Sequence, residues 1–148
     1  MSTVTDSTAR PAGPRFDLPQ TDDHTETWWQ ALNEGRLLLE QCVPCRRLYF
    51  YPRGMCPACW SEEVEWAEAG GRGRVYTYSV VHMNDLPPFR DRLPYVVAMV
   101  DLEEGPRITA NLDGVDPAAV EIGLPVVLRP RRLDDRYSAP EFVPEVTA

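Results

Sequence analysis

All four cysteines of this chain lie in residues 41–60 (QCVPCRRLYFYPRGMCPACW), as two Cys-x-x-Cys pairs, Cys42/Cys45 and Cys56/Cys59, with ten residues between the pairs. Four thiolates from two short-range pairs meet the tetrahedral preference of one Zn²⁺. No cysteine is left over, which strengthens that reading. With four protein ligands the metal keeps no open position, so the expected role is structural. Iron in the same four-sulfur site is the chemical alternative. Two disulfides would need an oxidising compartment, and a redox site would need only one pair at the start of a helix. Knuckles of this kind often place glycine just after the second cysteine, where a left-handed backbone is convenient; here those positions hold Arg46 and Trp60.

Other chemistry is sparse. His24 and His82 are the only histidines. His24, at the start of a helix and beside a polar tail, is expected to be solvated. His82 ends a strand with Asp85 three residues on, so it is the weak candidate for a general base, but no nucleophile adjoins it in sequence. All fifteen basic residues are arginine. Without a lysine amine, Schiff-base chemistry through a side chain is excluded. No catalytic residue is assigned beyond that weak candidate, an inventory that suits a non-catalytic subunit.

The 148 residues fit one domain or two small modules sharing a core. The net charge of −8 argues against general nucleic-acid binding and against binding to an anionic membrane. No apolar run is long enough to span a bilayer and no signal peptide is read, so a cytoplasmic location is the expectation.

The elements that must position the cysteines follow from periodicity. Residues 1–21, rich in Ser, Thr, Ala and Pro, read as a disordered tail. A helix is expected within 22–35, capped by Asp22 or Asp23, with Trp28, Trp29 and Leu32 on one side and Gly35 as its stop. Strands at 36–41 and 48–51 flank the first cysteine pair, within a metal ribbon over 36–65. Beyond it, period-two runs at 74–81 and 107–112, a nearly continuous apolar run at 95–102, as a central strand would show, and a last strand at 126–131 read as a small β-barrel over 66–132. Asp116-Pro117 starts a helical turn before the last strand. Residues 82–94 form a long loop, and residues 133–148 are expected to be a C-terminal tail. About five short strands with one helical turn before the last suggest a closed barrel of the OB type.

The order of these pieces carries a resemblance: a helix with paired aromatics, GRLLLEQC, two Cys-x-x-Cys knuckles, GRGRVYTYSVV, PYVVAMVDLEEGPRI and IGLPV. Over about residues 28–131 the chain resembles the bacterial and archaeal family that joins a rubredoxin-like zinc ribbon to an OB-fold, long filed as a domain of unknown function. That resemblance implies a mainly β fold: an N-terminal helix and zinc ribbon followed by a five-stranded OB-fold barrel. It also implies acyl-CoA-associated work beside thiolase-superfamily enzymes, including lipid-transfer-protein-like aldolases of steroid side-chain breakdown and acyltransferases, and in some relatives a hot-dog-fold hydratase.

Holding CoA would take cations for phosphates and an apolar surface for adenine and pantetheine. The candidates for the first are Arg46, Arg47, Arg53, Arg72 and Arg74; for the second, Trp28, Trp29 and Phe89. Packing of Trp28 and Trp29 in the core is the competing role. The expected function is that of an accessory subunit in a lyase (retro-aldol) or acyltransferase complex acting on a CoA thioester. A stand-alone acyl-CoA-binding protein and a single-stranded nucleic-acid-binding module, with Tyr76 and Tyr78 stacking bases, are the alternatives.

Overall fold

A computed structural model describes residues 14–146. Helix α1 (Thr25–Asn33) opens the fold. The Oδ1 of Asp22 accepts from the Thr25 backbone N–H at 2.7 Å, so Asp22, not Asp23, ties down its first turn. Gly35 stops it: its φ is +79°, its N–H donates to Leu32, and the Arg36 N–H donates to Ala31. These two bonds close a Schellman motif, which needs a left-handed residue where glycine costs least.

The first sheet has the order β2-β1-β3 and is formed by β1 (Leu37–Cys42), β2 (Leu48–Tyr49) and β3 (Val64–Ala69). Strand β3 pairs with β1 along all six of its residues. It therefore completes the metal ribbon and runs without a break through residues 65 and 66. Leu37, Leu38 and Leu39 are all buried, because β1 is covered on both faces. Trp28 fixes α1 on this sheet, its indole N–H donating to the Leu38 carbonyl at 2.9 Å.

A closed barrel of five strands follows, formed by β4 (Arg72–Val81), β5 (Tyr95–Leu102), β6 (Arg107–Leu112), β7 (Pro125–Leu128) and β10 (Glu141–Pro144). Between β7 and β10, the short strands β8 (Arg131–Arg132) and β9 (Ser138–Ala139) pair with each other. Strands β4, β5 and β6 form an antiparallel meander, β7 returns to β4, and β10 lies parallel to β6 and antiparallel to β7. Val96, Ala98, Val100 and Leu102 point inward from β5, and Ile108, Ala110 and Leu112 from β6. The apolar run of β5 suggested a strand covered on both sides, yet Met99 is exposed, so β5 is one-sided. At Gly73 a Cβ would lie 2.5 Å from the Asp101 carbonyl oxygen, so only glycine permits this approach of β4 to β5. The turn Pro117–Ala119 forms as expected, with Asp116 accepting from the Ala118 N–H at 2.8 Å.

Both expected tails need correction. The polar C-terminal stretch supplies β10, and the fully buried Phe142 on β10 packs into the barrel core. Polarity and prolines hid it, because only four residues form the strand. Of the N-terminal tail, residues 1–13 lie outside the described residues, but 14–21 are anchored. Arg15 grips Asp17 through two bonds of 2.7 and 2.9 Å and donates to the Leu133 carbonyl at 2.8 Å. Burial pushes the Asp17 carboxyl up, but the hydrogen bond and charge of Arg15 outweigh it and hold it below its ordinary range. Asp17→Ala is expected to lower stability by about 1 kcal/mol or less. It should also speed tryptic cleavage after Arg15; an unchanged cleavage rate would show that this pair does not tie the segment down.

Candidate metal centre and its surroundings

The two knuckles are built alike. In the first, the Arg46 N–H donates to the Cys42 carbonyl at 2.9 Å, and the Cys42 N–H donates to the Arg47 carbonyl at 2.9 Å. In the second, the Trp60 N–H donates to the Cys56 carbonyl at 3.0 Å, and the Cys56 N–H donates to the Ser61 carbonyl at 2.9 Å. Arg46 and Trp60 adopt φ of +61° and +66°. The left-handed turn is thus kept without glycine, and the loop bears its steric cost.

These turns bring the four Sγ atoms within 4.8 Å of one another, with 3.4 Å between Cys42 and Cys59 and 3.7 Å between Cys45 and Cys56. Both separations exceed a disulfide bond of about 2.05 Å. They suit the edge of a tetrahedron with metal–sulfur bonds of about 2.3 Å, which is roughly 3.8 Å. Cys42 and Cys56 are fully buried, and Cys45 and Cys59 face solvent. Backbone N–H groups of Cys59 and then Ala58 pull the Cys56 thiol down to about 6, so it is already disposed to be a thiolate. The donor set therefore fits a four-sulfur metal site, held by Cys42, Cys45, Cys56 and Cys59 and closed to further ligands.

Behind the second knuckle lies a buried carboxylate that the sequence did not single out. Glu40 on β1 is 1% exposed. It accepts from the backbone N–H of Arg53 at 2.9 Å and of Gly54 at 3.1 Å, and it pairs with His24. Burial raises the Glu40 carboxyl, but hydrogen bonds, including those from the Arg53 N–H and His24, outweigh it and hold it below its ordinary range. Tyr49 lies near the same carboxylate without reaching good hydrogen-bond geometry. Burial, then Glu40, pushes the Tyr49 phenol above its ordinary range. His24 is consequently not a solvated residue: it stacks on Trp66 with ring centroids 5.2 Å apart and joins the start of α1 to the ribbon. The only hint in the sequence was one acid inside the apolar run LLLEQC. Glu40→Gln is expected to cost about 2–3 kcal/mol, because buried donors lose a charged acceptor. His24→Ala should cost less, since its side chain is 39% exposed. Urea unfolding of both variants checks the ranking; equal midpoints would contradict it.

Most of the residues expected to hold CoA have partners within the chain. Trp28 is 1% exposed, so it is core and cannot wall a groove. Trp29 is half-buried beside it and donates to the Tyr51 hydroxyl at 3.1 Å. Phe89 lies on the short turn Phe89–Arg92. Arg46 pairs with Glu65 at 3.0 Å, and Arg72 with Glu145 at 2.9 Å. Arg53 folds back onto the Tyr51 carbonyl at 3.1 Å, and Arg74 onto that of Gly123 at 3.1 Å. Arg47 is exposed. His82 is exposed too, and among the described residues it has no hydrogen bond or ion pair that would make it a base. Tyr76 is a poor platform for a base, because the Arg107 guanidinium already covers its ring at 3.3 Å. No helix among the described residues is long and apolar enough to cross a membrane.

Comparison with known proteins adds to this geometry. Residues 29–65 match the model of the rubredoxin-like zinc ribbon domain of ChsH2, and residues 66–130 that of its C-terminal OB-fold domain. A DUF35 domain-containing scaffold protein of Methanocaldococcus jannaschii is 38% identical over 109 residues, covering 72% of this chain and 77% of that protein. A probable enoyl-CoA hydratase alpha subunit of Thermomonospora curvata is 41% identical over 119 residues, 80% of this chain. The match spans only 37% of that relative's length. Among solved structures, one described as an Ltp2-ChsH2(DUF35) aldolase superposes with a TM-score of 0.79 at 39% identity, covering 87% of this chain and 100% of that one.

Proposed function

The chain belongs to the DUF35 family, with its zinc ribbon and OB-fold in order, and from that premise we propose that it is a structural-zinc subunit without catalytic residues of its own. It docks on a thiolase-like enzyme of the lipid-transfer-protein type and helps form that enzyme's acyl-CoA site. The complex cleaves a carbon–carbon bond by retro-aldol chemistry, or transfers an acyl group, on a CoA thioester of steroid or lipid side-chain breakdown. The relative described as an Ltp2-ChsH2(DUF35) aldolase supports the partner and the reaction class. The hydratase alpha subunit supports CoA thioesters as the substrate class, and a hydratase as a further partner.

The observation that carries docking is Trp60. Its side chain is 75% exposed on a backbone at φ +66°, so the chain bears both a hydration cost and a steric cost. An exposed tryptophan of this kind is what a partner surface can bury with most gain. Met55 and Val43, 42% and 40% exposed, lie on the same ribbon. Arg46, Arg47 and Arg53 on that ribbon are the cations this subunit offers to the thioester's phosphates. In this arrangement the base for bond cleavage belongs to the partner, which agrees with the unsupported His82.

The test is purification of the tagged chain from its native cells at moderate salt, followed by mass spectrometry and by CoA-thioester turnover with and without the recovered protein. A thiolase-like protein in stoichiometric amount, with turnover only in the complex, is the expected result. A chain recovered alone, or full turnover by the partner alone, would sink the assignment.

A further inference from the structure

A second site lies in the barrel, away from the cysteines. A cavity of about 410 Å³ opens where β5 begins and β6 ends, lined by Arg92, Tyr95, Asn111, Asp113, Val115 and Arg131, among others. Two of the lining residues, Arg92 and Arg131, are tied together by Glu141, a carboxylate only 2% exposed. Arg92 reaches the Glu141 Oε2 at 3.3 Å, and the Arg131 Nε reaches the same oxygen at 3.0 Å. Two guanidinium groups from distant parts of the chain are thus fixed side by side, each 28% exposed.

The charges do not balance. Glu141 offsets one of the two arginines. Asp113 also lines the cavity, but Arg129 pairs with it at 3.0 Å and lies 3.9 Å from Glu141. Asp17, whose carboxyl feels the charge of Arg131, is held by Arg15 at 2.7 Å. With that pair counted, four cations face three anions, leaving one positive charge in a partly desolvated recess. Burial, and then the charge of Arg131, depress the Arg92 guanidinium, as expected of a cation that lacks a full partner. Arg92 bonds Glu141 through one terminal nitrogen and Arg131 through Nε, so the remaining N–H donors are left for a ligand. Planar forks of this kind suit phosphate oxygens, and the volume falls in the range of small-molecule sites, about 300–1,000 Å³.

We infer that Arg92 and Arg131, held by Glu141, form a binding site for a phosphorylated small molecule in the mouth of the barrel. The site needs no partner protein and stands apart from the docking assignment. Free polyphosphate and the phosphate end of CoA share the required chemistry.

Calorimetric titration of the full-length, zinc-loaded chain with inorganic pyrophosphate at low salt tests it. Saturable one-to-one binding is expected. Arg92→Gln should weaken it at least about tenfold, the loss of one charge-assisted hydrogen bond. Asp113→Asn, at an exposed position, should tighten it by roughly two- to threefold through reduced repulsion, which keeps the test valid if Arg92→Gln disturbs the fold. CoA that displaces pyrophosphate would mark the site as serving the nucleotide end of a thioester; failure of CoA to compete would assign it to free polyphosphate. Absence of saturable pyrophosphate binding, or affinity unchanged in both variants, would overturn the inference. Neither result bears on whether the chain docks on a thiolase-like enzyme.

Discussion

Stripping the metal with a strong chelator, or replacing Cys42 with serine, is expected to unfold the ribbon and cost the whole chain most of its cooperative melting. Structural zinc in small cysteine sites carries an apparent binding free energy of roughly 10 kcal/mol or more. Whole domains are stable by only about 5–15 kcal/mol. The ribbon cannot fail alone. Leu37, Leu38 and Leu39 share one core with Trp28 and Leu32 of α1 and with Val75, Val100 and Phe142 of the barrel. Among the described residues, Tyr49 and Val64 pack beside the buried cysteines in a small separate cluster. Losing the metal frees both ends of that small cluster and exposes the shared core. Circular dichroism and thermal melts with chelator, then with Zn²⁺ restored, measure this. One equivalent of zinc and recovery on re-addition are expected. A melt indifferent to chelation would mean that the four cysteines hold no structural ion, and a coloured, iron-loaded chain would correct the metal.

Replacing Trp60 with glycine should leave the isolated chain as stable as before, or more stable by up to about 1 kcal/mol, while partner affinity falls by roughly 30- to 1,000-fold. The first part follows from relief of the left-handed backbone, partly offset by the greater freedom of glycine when unfolded. The second follows from loss of an exposed aromatic anchor, worth about 2–4 kcal/mol at the centre of an interface. Arg46→Gly is the matched control. It relieves the equivalent strain on the first knuckle, at φ +61°, but removes a side chain already paired with Glu65. Melting curves and titration of both variants against the recovered partner separate the effects. Equal affinity of Trp60→Gly and wild type would move the docking surface off the ribbon tip.

The metal site was legible because it is local. Cysteine type, spacing and completeness specify a tetrahedral site with no knowledge of the rest of the fold, and the order of motifs then identified the ribbon and barrel. Alternating burial in β6, the Gly35 stop and the Asp116 cap were equally local, each set by a few consecutive residues. The β10 strand was not. Four residues of mixed polarity become a barrel strand only because β6 and β7 are waiting on either side, and that is a long-range condition.

The same distinction divides the functional residues. Sequence alone determined the four metal ligands, the absence of lysine chemistry and the poor catalytic inventory, since these depend on which residue types are present and how they are spaced. Tertiary structure decided everything that depends on which side chains meet. It turned His24 from a solvated residue into the partner of buried Glu40 and put Trp28 in the core. It paired two of the arginines expected to hold CoA, Arg46 and Arg72, with Glu65 and Glu145. It also brought Arg92, Arg131 and Glu141 together from two strands and a loop, a grouping that chain order does not show. Burial and electrostatic coupling are properties of neighbours in space, and a sequence lists only neighbours along the chain.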